Sequence, residues 1–278
     1  MTGITAAISG GTRPSLHSTT ITTFGERALK PAIRLTIAAA TLCAAAACAA
    51  EPGAAAHWSY EGQTAPSHWA DLDPANRACS LSKEQSPIDI VDSATAKVAL
   101  PALGFAYRAG PATVENNGHT IQVTLPPGST LTVGGQSVRL LQFHFHTPSE
   151  EKINGKAYPM VAHFVHQGAD GKLSVVALLF REGAANATLA PVLDALPAPG
   201  QPLQLAAFDP AALLPAERGY YKFAGSLTTP PCSDGVRWQV LKQPLELSPQ
   251  QIAAFRKLYP MNARPVQPLN GRVVEASK

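Results

Sequence analysis

Two histidines with one residue between them open the chemistry of this chain. They lie in Gln142-Phe143-His144-Phe145-His146-Thr147-Pro148-Ser149-Glu150. Side chains on a strand alternate faces, so Gln142, His144 and His146 share one face and Phe143 and Phe145 the other. A buried neutral imidazole has one donor and one acceptor to satisfy, which makes a pair of them on one face hard to dismiss as packing. Met160-Val161-Ala162-His163-Phe164-Val165-His166 reads as the next strand after a short polar connection. Paired antiparallel, it brings His163 opposite His144 and His146. Three imidazoles from neighbouring strands are the ligand set of a catalytic zinc site with its fourth position open.

The elements that must hold these residues are mostly strands. From Leu100 to Val138 short apolar runs are separated by Gly, Pro and Asn: Gly104–Tyr107, Ala112–Glu115, His119–Leu125 and Thr130–Val133. Asn116-Asn117-Gly118 is a strong turn signal. Leu140–His146 and Met160–Gln167 are the two histidine strands, and Leu173–Phe180 is apolar enough to be buried on both faces. Asn186–Leu196 is a candidate short helix, and Val236–Leu241 a further strand. Ser248 is an N-cap for a helix over Pro249–Leu258, with proline in the first helical position. Two prolines block helix in Gly225–Cys232. Asn262–Arg272 is broken by proline and extended. The fold class expected is mainly β (α+β).

The first 50 residues read as a targeting segment, a signal extended or started later because the stretch before Arg27 is longer than an ordinary charged n-region. Arg27, Lys30 and Arg34 precede the apolar run Leu35–Ala50, the pattern of a secretory signal peptide too short to span a membrane comfortably. Cys48, after three alanines, leaves lipidation as an alternative. Residues 51–56 read as a flexible start, and residues 57–278 as one folded domain. The signal carries four of 22 Lys+Arg and one of 19 Asp+Glu, so the remainder has 18 of each and no charge footprint for nucleic acid or membrane. The expected location is the periplasm or the medium, and the expected state a monomer or homodimer. Cys43 and Cys48 lie in the signal. Cys79 and Cys232 remain, an even pair in an exported chain, which suggests one disulfide.

Taken in order, the motifs HWSYEG, QSPIDI, NNGHT, QFHFHTPSE, AHFVH, GSLTTPPC and RPVQPLNGR resemble the exported bacterial α-class carbonic anhydrases. The resemblance covers about His57 to Arg272. It implies a single domain with a twisted, mostly antiparallel central sheet of about ten strands, short peripheral helices, and zinc at the bottom of a conical cleft. It implies reversible hydration of carbon dioxide to bicarbonate and a proton, by attack of zinc-bound hydroxide.

The resemblance also implies residue roles. His144, His146 and His163 hold Zn2+. Glu150 and Thr228 orient the hydroxide, and Thr229 helps bind bicarbonate. Val165, Val175, Leu227 and Trp238 form a dry wall for the apolar gas. His119 is the proton shuttle, with Tyr60 and Asn117 holding a water chain to it. Gln142 accepts from His144, and a backbone carbonyl from His146. Pro87 and Pro231 match cis positions.

Three positions depart from the pattern. Relatives often carry Glu where this chain has Val161, usually His where it has Glu151, and often Tyr where it has Phe223. Without a carboxylate at residue 161, His163 must use water or a neighbouring side chain, or go without an acceptor, and faster zinc loss is expected. The alternative function is a carbonic-anhydrase-like zinc-binding domain with weak catalysis. His-Glu-x-x-His and Gly-x-Ser-x-Gly are both missing, so neither a zincin nor a serine hydrolase is indicated.

Overall fold

The computed structural model describes residues 57–278, so the signal-peptide reading, the Cys48 alternative and the flexible start lie outside the described residues. Strand-forming runs dominate because β-branched and aromatic residues alternate with polar ones between Gly and Pro punctuation. They assemble an open mixed sheet of 13 strands, with a small three-stranded sheet beside it. The ten strands on the main path run Leu203–Phe208, Gly110–Asn116, Ile121–Thr124, Gln136–His146, Met160–Gln167, Leu173–Glu182, Asp234–Leu241, Tyr220–Ser226, Glu275–Ser277 and Ala96–Val98. Most neighbours pair antiparallel. Leu173–Glu182 with Asp234–Leu241, and Glu275–Ser277 with Ala96–Val98, are parallel pairs.

The two faces of the sheet have different contents. Phe143, Phe145, Phe164, Val176, Leu178 and Phe180 pack into the larger core on one face. Val161, Val165, Val175, Ala177, Trp238 and Val240 pack on the other, the face that carries the three histidines. The alternation read from the sequence therefore holds on both histidine strands. Leu173–Glu182 is buried on both faces through Phe180, as expected.

Some expected elements change extent. The Asn186–Leu196 helix contracts to Ala190–Leu193. The Asn186 side chain accepts from Leu189 N–H and so starts the turn late, and Pro197 follows closely after its end. The Pro249–Leu258 helix forms as read, with Ser248 and Gln251 making a reciprocal capping box. The final strand, Glu275–Ser277, adds a pairing that its three residues do not announce. Ser86–Pro87 and Pro230–Pro231 are cis, and so is Thr147–Pro148. Cys79 and Cys232 form the expected disulfide across a separation of 153 residues. Among the described residues no helix is long and apolar enough to cross a membrane.

Candidate active site

Strand pairing sets the geometry. His163 pairs directly with His144, and Val161 with His146, so all three imidazoles rise from one face of two adjacent strands. One nitrogen from each ring lies within 4.8 Å of the others. The opposite nitrogen of each ring is occupied. His144 Nδ1 meets Gln142 Oε1 at 2.9 Å, as read from the sequence. His146 Nδ1 meets the Asn262 carbonyl at 2.7 Å, the backbone acceptor that was expected. His163 Nε2 meets the Glu151 carboxylate at 3.1 and 3.2 Å.

These acceptors decide the tautomers. A carbonyl or carboxylate oxygen can only accept, so the nitrogen facing it carries the hydrogen and the other presents a lone pair. Three lone pairs then converge on one point. His146 Nε2 is buried there without a hydrogen-bond partner. Leaving such an atom unpaired costs about 1–3 kcal/mol, a cost that a cation removes. Three neutral imidazoles around one point fit zinc.

Of the alternatives that Val161 leaves to His163, a neighbouring side chain is the one found. His163 does not go without an acceptor, because Glu151 supplies one. Phe223, which carries no hydroxyl, stacks its ring on Trp238, 6.0 Å between centroids.

Electrostatics follow from burial. His144 and His146 are held below the ordinary imidazole range by burial, with His163 adding to it. Burial also opposes charge on His163, but Glu151 and then Glu150 outweigh it and shift that ring upward. Glu150 is pushed up to about 7, first by burial and also by Glu151, against the pull of His163, Thr228 and the Arg264 N–H. A divalent cation bound beside it favours its ionised form. Glu150 Oε1 accepts from Arg264 N–H at 2.7 Å. Its Oε2 lies 3.5 Å from His146 Nε2 and 3.8 Å from His163 Nδ1. The nearly buried Thr228 hydroxyl stabilises the carboxylate's charge.

The cleft over the histidines has two halves that share Gln142, His144 and Thr229. The apolar half, about 260 Å³, is lined by Val165, Val175, Leu227 and Trp238, with Thr228 beside His163. All four wall residues read from the sequence are there. The polar half, about 150 Å³, is lined by Tyr60, Asn117, His119 and Trp58. His119 stacks on Trp58 with centroids 3.6 Å apart and has His57 at 4.7 Å. Burial and then His57 lower its pKa from the ordinary value. The Asn117 carboxamide oxygen accepts from both His119 and Thr120 N–H at 3.0 Å, so it also builds the turn that presents His119. Burial, followed by Glu150 and Tyr259, keeps the Tyr60 hydroxyl protonated.

Leu141 and Leu173 also line the apolar half and were not read from the sequence. Leu141 reaches it through a bulge. The register jumps between Val165 and His166, which pair with Gln142 and Leu140. Leu141 is the extra residue, and two consecutive side chains thereby face the site. Asn262 and Arg264 were missed because each serves the site through its backbone.

Comparison with known proteins agrees with this geometry. The family model described as eukaryotic-type carbonic anhydrase matches residues 64–278. The chain belongs to the α-carbonic anhydrase family. A carbonic anhydrase of Pectobacterium carotovorum is 46% identical over 221 residues, 78% of this chain and 90% of that protein. One from Neisseria gonorrhoeae is 44% identical over 244 residues, 87% of this chain and 96% of that protein. The α-carbonic anhydrase of Thermovibrio ammonificans, solved with the inhibitor sulfanilamide, superposes with a TM-score of 0.77 at 46% identity, covering 80% of this chain and 99% of that one. Members of the α-carbonic anhydrase family are zinc enzymes, and this chain is one that hydrates carbon dioxide reversibly.

Proposed function

We propose that His144, His146 and His163 hold the zinc, and that Glu150, Thr228 and His119 do the work around it. The observation that carries this reading is the set of three inward lone pairs, each fixed by an acceptor on the far side of its ring. Zinc, when bound, supplies the Lewis acidity that makes water a nucleophile near neutral pH.

Each further role follows from what a side chain touches. The Thr228 hydroxyl donates its hydrogen bond to the Glu150 carboxylate, which leaves its own oxygen free only to accept. That fixes the orientation of the attacking water, whose lone pair then points toward the apolar half of the cleft. Val165, Val175, Leu227 and Trp238 exclude water there and seat carbon dioxide, which has no charge to solvate. Thr229, on the border of the two halves, contacts the bicarbonate product. Hydration leaves one proton behind. His119 takes it across the polar half, through water held by Tyr60 and Asn117, and passes it to buffer.

Residues 57–278 act as the catalytic domain. The signal-like sequence at residues 27–50 and the Cys79–Cys232 disulfide support a place outside the cytoplasm, in the periplasm or the medium.

The test is stopped-flow hydration by His119→Ala. In weak buffer its maximal rate falls by about 100-fold, the lower end of what a proton-transfer group generally contributes, and added imidazole restores it. A variant as fast as the wild type in weak buffer would remove His119 from this role.

A further inference from the structure

The acceptor of His163 comes from an unexpected element. Val161, two residues before His163 on the same strand face, is buried and offers no polar atom. The neighbouring Glu150-Glu151 segment supplies the carboxylate instead. Glu151 is fully buried, and its two oxygens sit 3.1 and 3.2 Å from His163 Nε2. His163 is its one side-chain partner among the described residues. No Lys or Arg pairs with it there.

A buried carboxylate with one imidazole partner is costly by itself. It is repaid when the imidazole N–H is polarised by positive charge on its other nitrogen. The backbone around Glu151 is firmly set. Ser149 Oγ donates to Glu151 O at 2.7 Å, and Lys152 N–H donates to Ile88 O at 3.2 Å. The carboxylate is thus held on a fixed arm rather than a flexible one.

We propose that Glu151 is the positioning residue for His163, orienting the ring and strengthening its metal-facing nitrogen as a donor. It does so in place of a carboxylate at residue 161. The inference rests on His163 being a zinc ligand. Outer partners of this kind are generally worth 10–100-fold in metal affinity. A single Val161→Glu change brings no slower zinc release, because the N–H it would bind is already taken.

The experiment follows zinc transfer to excess chelator from the loaded protein, with near-UV circular dichroism checking that each variant is folded. Glu151→Ala releases zinc about 10–100-fold faster than wild type. Glu151→Gln, which keeps a neutral acceptor, falls between them. The double variant Glu151→His with Val161→Glu moves the carboxylate to the strand and returns release toward the wild-type rate. That return separates an acceptor role from mere filling of space. Folded Glu151→Ala and Glu151→Gln proteins that release zinc at the wild-type rate overturn the proposal. So does a double variant as leaky as Glu151→Ala. A wild-type chain that takes up no zinc would instead sink the ligand reading itself, and the proposal with it.

Discussion

At the scale of single residues, the site is a set of oriented lone pairs. Each imidazole is turned by one acceptor, and the three acceptors differ in kind: an amide, a backbone carbonyl and a carboxylate. His119 is the residue whose chemistry is most exposed to pH. Burial and then His57 lower its pKa below the ordinary value of about 6.5. A lowered imidazole pKa keeps the ring neutral to lower pH, and in hydration the proposed shuttle accepts a proton only when neutral. The maximal hydration rate in weak buffer therefore falls to half below pH 6.5 rather than above it. A rate profile against pH checks this, and His57→Ala moves the midpoint upward by removing a neighbour that lowers the His119 pKa.

What was legible at this scale was what alternation and side-chain chemistry can express. His144, His146 and His163 share a face because the strand period is two, and Gln142 follows from the same rule. Asn262 could not be read as a partner of His146, because a backbone carbonyl has no sequence signature and lies 116 residues away. Glu151 could be seen as a departure, but its partner could not. Nothing in a run of two glutamates says which one turns toward which histidine.

At the scale of elements, the two histidine strands and the Gly225–Cys232 loop do the positioning. The loop is pinned where Trp238 Nε1 donates to Ser226 O at 3.1 Å and Ser86 N–H donates to Ser226 Oγ at 2.9 Å. Gly225 allows this close approach. A Cβ there would meet Ser86 Oγ and come within 3.0 Å of the Trp238 ring. Gly225→Ala is expected to cost about 1–3 kcal/mol by overpacking, and to displace Thr228 enough to lower activity as well. Denaturant unfolding of the variant measures it, and an unchanged midpoint would show that Ser86 and Trp238 yield freely. The bulge at Leu141 is the element-scale feature that periodicity hides, since a strand pattern assumes no inserted residue. The shortened helix at Ala190–Leu193 has a similar cause, a side chain competing with the backbone for hydrogen bonds.

At the scale of the molecule, the sheet separates two environments that the reaction needs. One face is a closed apolar core built on Phe143, Phe145 and Phe164, and the other carries the zinc site and its divided cleft. The mainly β class followed from the rhythm of turns and short runs, whereas the expectation of about ten strands came from the family resemblance, and the sheet holds 13. The order of strands did not, because parallel pairs such as Leu173–Glu182 with Asp234–Leu241 join segments far apart in the chain. The Cys79–Cys232 link closes a loop of 153 residues. Loop-closure entropy alone sets its stabilisation at about 5 kcal/mol as an upper figure. The same link lies beside the loop bearing Thr228 and Thr229, where Cys232 N–H donates to Thr229 O at 2.9 Å.

The most direct measurement is stopped-flow hydration of carbon dioxide by the same folded sample as prepared, after chelation, and after return of one equivalent of zinc. Fast hydration, its loss on chelation and its recovery with zinc are expected. A folded, zinc-loaded protein that leaves hydration at the uncatalysed rate would contradict this expectation.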